Sequence, residues 1–282
     1  MEPGQPSRTA LAAASYRAAH QLLEGGRVFA DPLAIPILGV TESELLRGDA
    51  QAPATRGMRL FIAARSRLAE DTLAVAVTRG VRQYVALGAG LDTFAYRNPF
   101  SDIELRVFEV DHPATQAWKR QRLADEGIVA PASLTFAGVD FERQTLAEGL
   151  AAAGFDAKAP AVFAWLGVVV YLTRGAVVET LRFIASVPGG EVVFDYGEPP
   201  SSFPEGAQRS LQLARAQRAA ALGEPWITRF TPADLAEILH SLGFDALEDL
   251  GPAQIARRFY GVDRSDGPGG HLMRAARLDV PA

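Results

Sequence analysis

The chain predicts an α/β fold on a mostly parallel sheet with helices on both faces, and three observations carry that reading. Short apolar runs alternate with helical segments from residue 84 onwards, the pattern of strands covered on both sides. The first strand, Tyr84 to Leu87, runs into Gly88-Ala89-Gly90 and then towards a helix. Two glycines flanking one small residue let backbone approach a bound ligand. The second strand, Leu105 to Val110, ends in the acids Glu109 and Asp111. Strand, glycine turn and an acid about 20 residues on describe a nucleoside-cofactor site.

The elements follow in order. Thr9 to Leu23 is Ala-rich with helical spacing and stops at Gly25-Gly26, a C-cap signal. Asp31-Pro32 reads as the start of a short helix, with Asp as N-cap and Pro at the first position. Arg59 to Thr78 is a long helix ended by Gly80. After the first two strands come helix Pro113–Glu126, strand Ser133–Val139, helix Arg143–Ala153 and an apolar run, Ala161 to Val170, holding a fourth strand. Helix Arg174–Ser186, the Pro188-Gly189-Gly190 turn and strand Glu191–Tyr196 continue the series. Thr231-Pro232 opens a helix to Leu242, and two late strands, Ala246–Leu250 and Leu272–Leu278, complete the sheet. Gly197 to Arg229 is far longer than an ordinary connection; it holds Pro199-Pro200, an amphipathic helix around Ala207 to Leu222, and Trp226. One domain over residues 9–282 is expected, with an N-terminal helical cap at 9–58, a lid-like insertion at 197–229, and disorder at 1–8.

Composition narrows the function classes. The 282 residues are 48% hydrophobic, enough for a full core. A net charge of −5 without a basic run argues against nucleic acid and anionic membrane as partners. The chain has no cysteine, which excludes disulfides, thiolate metal sites and cysteine nucleophiles. No apolar run reaches the roughly 18 residues of a membrane span, and the start lacks the pattern of a secretory leader. A cytoplasmic protein is expected, with no metal; a homodimer is compatible and the assembly state is open.

The cofactor is read from the turn itself. Thr93 stands where the dinucleotide fingerprint has its third glycine, which favours S-adenosylmethionine over NAD, and no Tyr-x-x-x-Lys hydride-transfer pair is seen. Four blocks then resemble the leucine carboxyl methyltransferase superfamily, a branch of the class I methyltransferases: Ala30-Asp31-Pro32-Leu33-Ala34; Ala86 to Thr93 with Arg97; Phe108 to Pro113; and Val170-Tyr171-Leu172-Thr173. The resemblance runs from about Thr9 to Leu278 and is close to bacterial members taken to act on small molecules. It implies a Rossmann-like class I methyltransferase fold with a seven-stranded sheet.

By matched position the resemblance implies that Leu87, Gly88, Ala89 and Gly90 line the methionine part of S-adenosylmethionine. Glu109, with Val110 beside it, would bind the ribose hydroxyls. Asp140 and Phe141 would hold the adenine. Arg65 would grip the cofactor carboxylate, with Arg17 as a second basic residue there; a guanidinium fork suits a carboxylate. Family members commonly have Ala-Glu-Gly before the Tyr-Leu block, and Trp165 is read here in place of the glutamate. An indole can face a sulfonium cation but supplies no carboxylate. Tyr171 and Tyr196 are candidate acceptor contacts near strand ends. The function expected is O-methyl transfer to a small molecule, carboxylate favoured, in secondary metabolism. A hydroxyl or amine acceptor, and a cofactor-binding protein without turnover, are the alternatives.

Overall fold

The structure is a computed structural model that describes residues 8–48, 51–141, 143–221 and 223–277. The disorder expected at the N-terminus falls, but for Arg8, outside the described residues. The chain divides into two compact units, residues 1–156 and 157–282.

The first unit opens with α1 (Arg8–Leu23), the single-turn α2 (Glu42–Leu45) and α3 (Arg56–Thr78). Its strands are β1 (Gln83–Leu87), β2 (Arg106–Asp111) and β3 (Leu134–Gly138), in the order β3-β2-β1, with α4 (Pro113–Asp125) between β2 and β3. Both pairings are parallel: Leu87 stands opposite Val110, and Asp111 opposite Gly138. The carboxyl ends of the three strands are therefore level. Every residue of β1 is buried, and Tyr84 stacks at a tilt on Phe94, ring centroids 4.6 Å apart. α5 (Leu146–Ala152) starts on a capping box, Thr145 and Glu148 each bonding the other's backbone N–H.

The second unit holds β4 (Val162–Trp165), α6 (Arg174–Ser186), β5 (Glu191–Gly197), α7 (Ala207–Ala221), α8 (Pro232–Ser241), β6 (Ala246–Leu250), α9 (Pro252–Tyr260) and β7 (Gly270–Ala276). The order is β4-β5-β7-β6. β4 and β5 are parallel, whereas β7 runs antiparallel to both β5 and β6. The seven-stranded, mostly parallel α/β architecture is as expected, and β7 makes it mixed. Val192, Val193 and Phe194 in β5, and Leu181 and Ile184 of α6, are fully buried.

Three local expectations change. The segment after the glycine turn is a short 3-10 turn, Phe94–Arg97, in place of a helix. Asp31-Pro32 opens a turn, with Asp31 Oδ1 accepting from Leu33 N at 3.0 Å, before a 3-10 helix at Pro36–Leu38. α9 was not anticipated, although Pro252 sits at its first turn and Gly261 ends it at φ 63°. Among the described residues no helix is long and apolar enough to cross a membrane.

Candidate functional site

The first unit gathers its polar groups where its three strands end. Gly88 and Gly90 adopt φ values of 63° and 47°, left-handed conformations open to glycine at little cost. Ala89 N donates to Val110 O at 3.1 Å and Asp92 N to Ala89 O at 2.7 Å, closing the turn. Gly88 is exposed while Leu87, Ala89 and Gly90 are buried. A Cβ on Gly90 would meet Ala10 of α1 at 3.3 Å, so the helix lies directly on the turn.

Asp111 is the acid that touches this turn. Its Oδ2 accepts from Gly90 N at 2.7 Å and its Oδ1 from His112 N at 2.7 Å. Each carboxylate oxygen keeps a free acceptor position, and the side chain is half-buried at the end of β2. At the end of β3, Asp140 is half-buried and Phe141 is 62% exposed. The Asp140 carbonyl anchors the next turn, accepting from Arg143 N and Gln144 N at 2.9 and 3.0 Å.

Glu109 is elsewhere. Its side chain is sealed, with Oε2 accepting from Lys119 Nζ at 2.7 Å and Oε1 enclosed without a partner. Burial pushes its carboxyl up to about 7, Lys119 opposes the shift, and Asp92 and Asp111 add to it. The same ammonium donates to Asp92 O at 2.7 Å and lies 5.3 Å from the Tyr96 ring centre. Glu109 thus supports the turn from beneath through Lys119, and the acid that meets the turn directly is Asp111. Side chains two residues apart on a strand share a face, which is why the sequence alone leaves the two acids hard to separate. Val110 is buried and meets the turn through its carbonyl.

Arg17 also departs from expectation. Its Nε pairs with Asp31 Oδ2 at 2.7 Å and its Nη2 donates to Leu91 O at 2.6 Å. Asp31, 2% exposed, accepts in addition from Thr93 Oγ1 at 2.7 Å and lies 3.4 Å from Arg97 Nε. Arg97 in turn grips Glu70 of α3. Arg17 therefore belongs to an internal network that holds α1 and the glycine turn together. Arg65 is half-buried on α3.

In the second unit, Trp165 is 2% exposed and packs on Phe194, ring centroids 6.1 Å apart. It is a core residue with no open indole face, which removes the sulfonium contact expected of it. Tyr196 is 3% exposed, and its hydroxyl donates to Asp249 Oδ2 at 2.6 Å. Burial and that bond hold its pKa far above the usual phenol value. Its ring stacks on His271, whose Nδ1 faces Asp249 Oδ1 at 2.9 Å and whose Nε2 faces Glu198 Oε1 at 3.1 Å. The Tyr196 hydroxyl is thus engaged within the unit and not offered to an acceptor. Burial lowers the His271 pKa, but Asp249 and Glu198 outweigh it and the net shift is upwards. Tyr171 is half-buried in the 3-10 turn Val169–Tyr171.

A glycine turn with acids at the ends of the next two parallel strands defines the site of a nucleoside-cofactor-binding α/β protein. The chain belongs to the leucine carboxyl methyltransferase family, whose profile matches residues 10–185. It is 36% identical over 199 residues to a Bacillus subtilis (strain 168) protein named "Putative S-adenosyl-L-methionine-dependent methyltransferase YktD", covering 70% of this chain and 65% of that one. A Mycobacterium avium (strain 104) protein of the same description is 32% identical, with 76% and 72% covered. The match to the first thus spans just under two thirds of its length. Among solved structures, a duf574 family protein from Streptomyces avermitilis MA-4680 shares the fold at a TM-score of 0.51 and 18% identity, with 94% of this chain and 97% of that one covered.

Proposed function

We propose that this protein is an S-adenosylmethionine-dependent O-methyltransferase acting on a small molecule, with a carboxylate as the methyl acceptor. The observation that carries the reading is the strand-end surface of Gly88, Asp111, Asp140 and Phe141, found in a chain of the leucine carboxyl methyltransferase family. Asp111 is assigned to the ribose hydroxyls, since both its oxygens are already oriented by backbone N–H groups and keep acceptor capacity. Phe141 is assigned to the adenine face and Asp140 to its amino group. The turn at Gly88 to Gly90 admits the amino-acid tail, and Arg65 is the cation assigned to its carboxylate. S-adenosylmethionine has no pyrophosphate, so a two-glycine turn suffices.

Transfer from a sulfonium is an in-line displacement in which opposite charges cancel, and the protein's task is mainly to position donor and acceptor. A carboxylate is a nucleophile at neutral pH without a base, so such an acceptor requires no proton transfer from the protein. A cytoplasmic setting, a role in secondary metabolism, and a small acceptor as the sole partner class complete the proposal; the net charge of −5 speaks against polyanionic partners.

Calorimetry with S-adenosylhomocysteine tests the cofactor assignment. Binding is expected, and Asp111→Asn is expected to weaken it by about 1–3 kcal/mol through lost charge-assisted hydrogen bonds. No heat of binding to the wild-type protein would refute the proposal.

A further inference from the structure

The insertion after β5 is tied to its unit at its first residue. The β5–β7 ladder ends on the pair Gly197 and Gly270, and Glu198 stands one step beyond it. Glu198 N donates to Gly269 O at 3.1 Å, and Glu198 Oε1 accepts from Gly269 N at 3.1 Å. The same oxygen faces His271 Nε2 at 3.1 Å, and the Glu198 carbonyl accepts from Arg229 Nη1 at 3.0 Å. Arg229 is where the insertion returns, so its two ends meet at Glu198. The returning end has further ties, Ile227 N and Thr228 N to Val170 O and Phe230 N to Gly197 O. The stretch between is thinly packed: among the described residues from 199 to 227, Phe203 alone is buried, and α7 buries none of its residues. The leading end therefore depends on what holds Glu198.

His271 is 7% exposed, and each of its ring nitrogens faces a carboxylate, Nδ1 that of Asp249 at 2.9 Å and Nε2 that of Glu198 at 3.1 Å. A neutral imidazole has one N–H and cannot donate to both; the imidazolium has two and can. Among the described residues neither acid has another cationic partner. The titratable groups around the ring come from three places: Tyr196 on β5, whose ring stacks on it, Asp249 on β6, and Glu198 itself. From the returning strip Arg229 reaches the Glu198 backbone, and α9 begins beside the ring at Gly251, where an added Cβ would lie 3.2 Å from His271 Cε1. Burial lowers the ring's pKa, but Asp249 and Glu198 outweigh it and the net shift is upwards.

We infer that His271 is a pH-operated clasp on the insertion: its imidazolium ties Glu198 to Asp249, and its deprotonation frees Glu198 and with it the leading end of the segment. When the proton leaves, one of the two carboxylates must lose its donor. Asp249 keeps Nδ1–H, because its contact is the shorter, its strand is paired along β7, and the Tyr196 hydroxyl already holds its other oxygen at 2.6 Å. Glu198 lies outside the ladder and is left with its Oε1 against the bare lone pair of Nε2. A poorly solvated carboxylate facing an acceptor is costly, and turning outward to water relieves it. That turn breaks the bond to Gly269 N and loosens the carbonyl contact to Arg229. The clasp is closed below the ordinary imidazole value of 6.5 and opens as pH rises through the folded one. It works without cofactor or acceptor.

The test is amide hydrogen exchange of the full-length protein at pH 6 and pH 9, resolved by residue with NMR and corrected for the intrinsic pH dependence of exchange. Protection at the Glu198 and Gly269 amides is expected to fall by about tenfold or more at the higher pH, as a local opening. Amides inside β5, such as Val193, should hold theirs, and the His271 ring should titrate in the same step. The two variants carry opposite signs. His271→Phe has no ring N–H at any pH and should exchange in the open manner at both. Glu198→Gln can donate its amide to the neutral Nε2 and should stay protected at pH 9. The inference is overturned if Glu198 and Gly269 exchange alike at the two pH values, if the step survives in either variant, or if β5 opens in parallel with them. Should His271→Phe fail to fold, Glu198→Gln decides the question alone.

Discussion

Two acids two residues apart on β2 divide the work of the strand end. Asp111 faces the turn with both oxygens oriented by N–H groups, and Glu109 faces Lys119 in a closed interior. The consequence is a pH dependence of stability with a definite sign. The folded carboxyl of Glu109 lies at about 7 against an ordinary 4.5, so the folded state keeps a proton that the unfolded chain has released. Its contribution to stability is full below about pH 4.5 and is lost as pH rises to about 7. His271, also shifted upwards, contributes below its ordinary value of 6.5 and loses that contribution as pH climbs through the folded one. Glu109 and His271 are therefore expected to lower the thermal midpoint as pH rises from 5 to 8, while His20, held below its ordinary value by burial, acts in the opposite sense. Glu109→Gln should flatten the lower part of that slope and His271→Gln the upper part. Differential scanning fluorimetry across the range checks this; unchanged slopes in both variants would contradict the assignment. Because Glu109 supports the turn and does not line it, Glu109→Gln should also weaken S-adenosylhomocysteine less than Asp111→Asn does.

At the scale of elements, Asp31 is the joint between α1, the turn that follows it and the segment after the glycine turn. Arg17, Thr93, Arg97 and Leu33 N all converge on one nearly inaccessible carboxylate. Removing one partner of a buried charge network leaves the others uncompensated, at a cost of about 3–5 kcal/mol. Asp31→Ala is expected to lose stability of that order in urea unfolding, and a loss under ~1 kcal/mol would show the network to be dispensable. The turn itself predicts a second effect. Gly90→Ala imposes a Cβ at φ 47° and against Ala10, costing about 1–2 kcal/mol for the left-handed backbone alone and lowering S-adenosylhomocysteine affinity, readable by calorimetry. The strands and α6 were legible because apolar periodicity and Gly/Pro punctuation agree there. α9 escaped although its signal is present, with Ile255, Ala256 and Phe259 on one side, Arg257 and Arg258 exposed on the other, and Pro252 and Gly261 bracketing it. The 3-10 turn at Phe94–Arg97 replaced a helix because Thr93 and Arg97 are drawn to Asp31, a partner 62 residues before Thr93.

For the whole molecule, cofactor binding and folding are linked. A ligand that binds only the folded state raises stability by about 2.7 kcal/mol at a hundred times its dissociation constant. S-adenosylhomocysteine is expected to raise the thermal midpoint progressively with concentration, and NADH at equal concentration to leave it unchanged. A shift produced by NADH alone would favour an oxidoreductase reading over methyl transfer.

The sequence by itself determined the α/β class, the family and the glycine turn, because strand patterning, backbone-permissive glycines and a strand-end acid are local signals carried by neighbouring residues. Asp140 and Phe141 were named through the resemblance alone, and the structure places both just past the end of β3. Which acid meets the turn, that Arg17 answers to Asp31, that Trp165 is core and that the Tyr196 hydroxyl belongs to Asp249 were decided only by the tertiary structure. Each of those outcomes depends on a partner distant in the chain and on which side of a strand or helix is closed off from water, and neither is written in the spacing of adjacent residues.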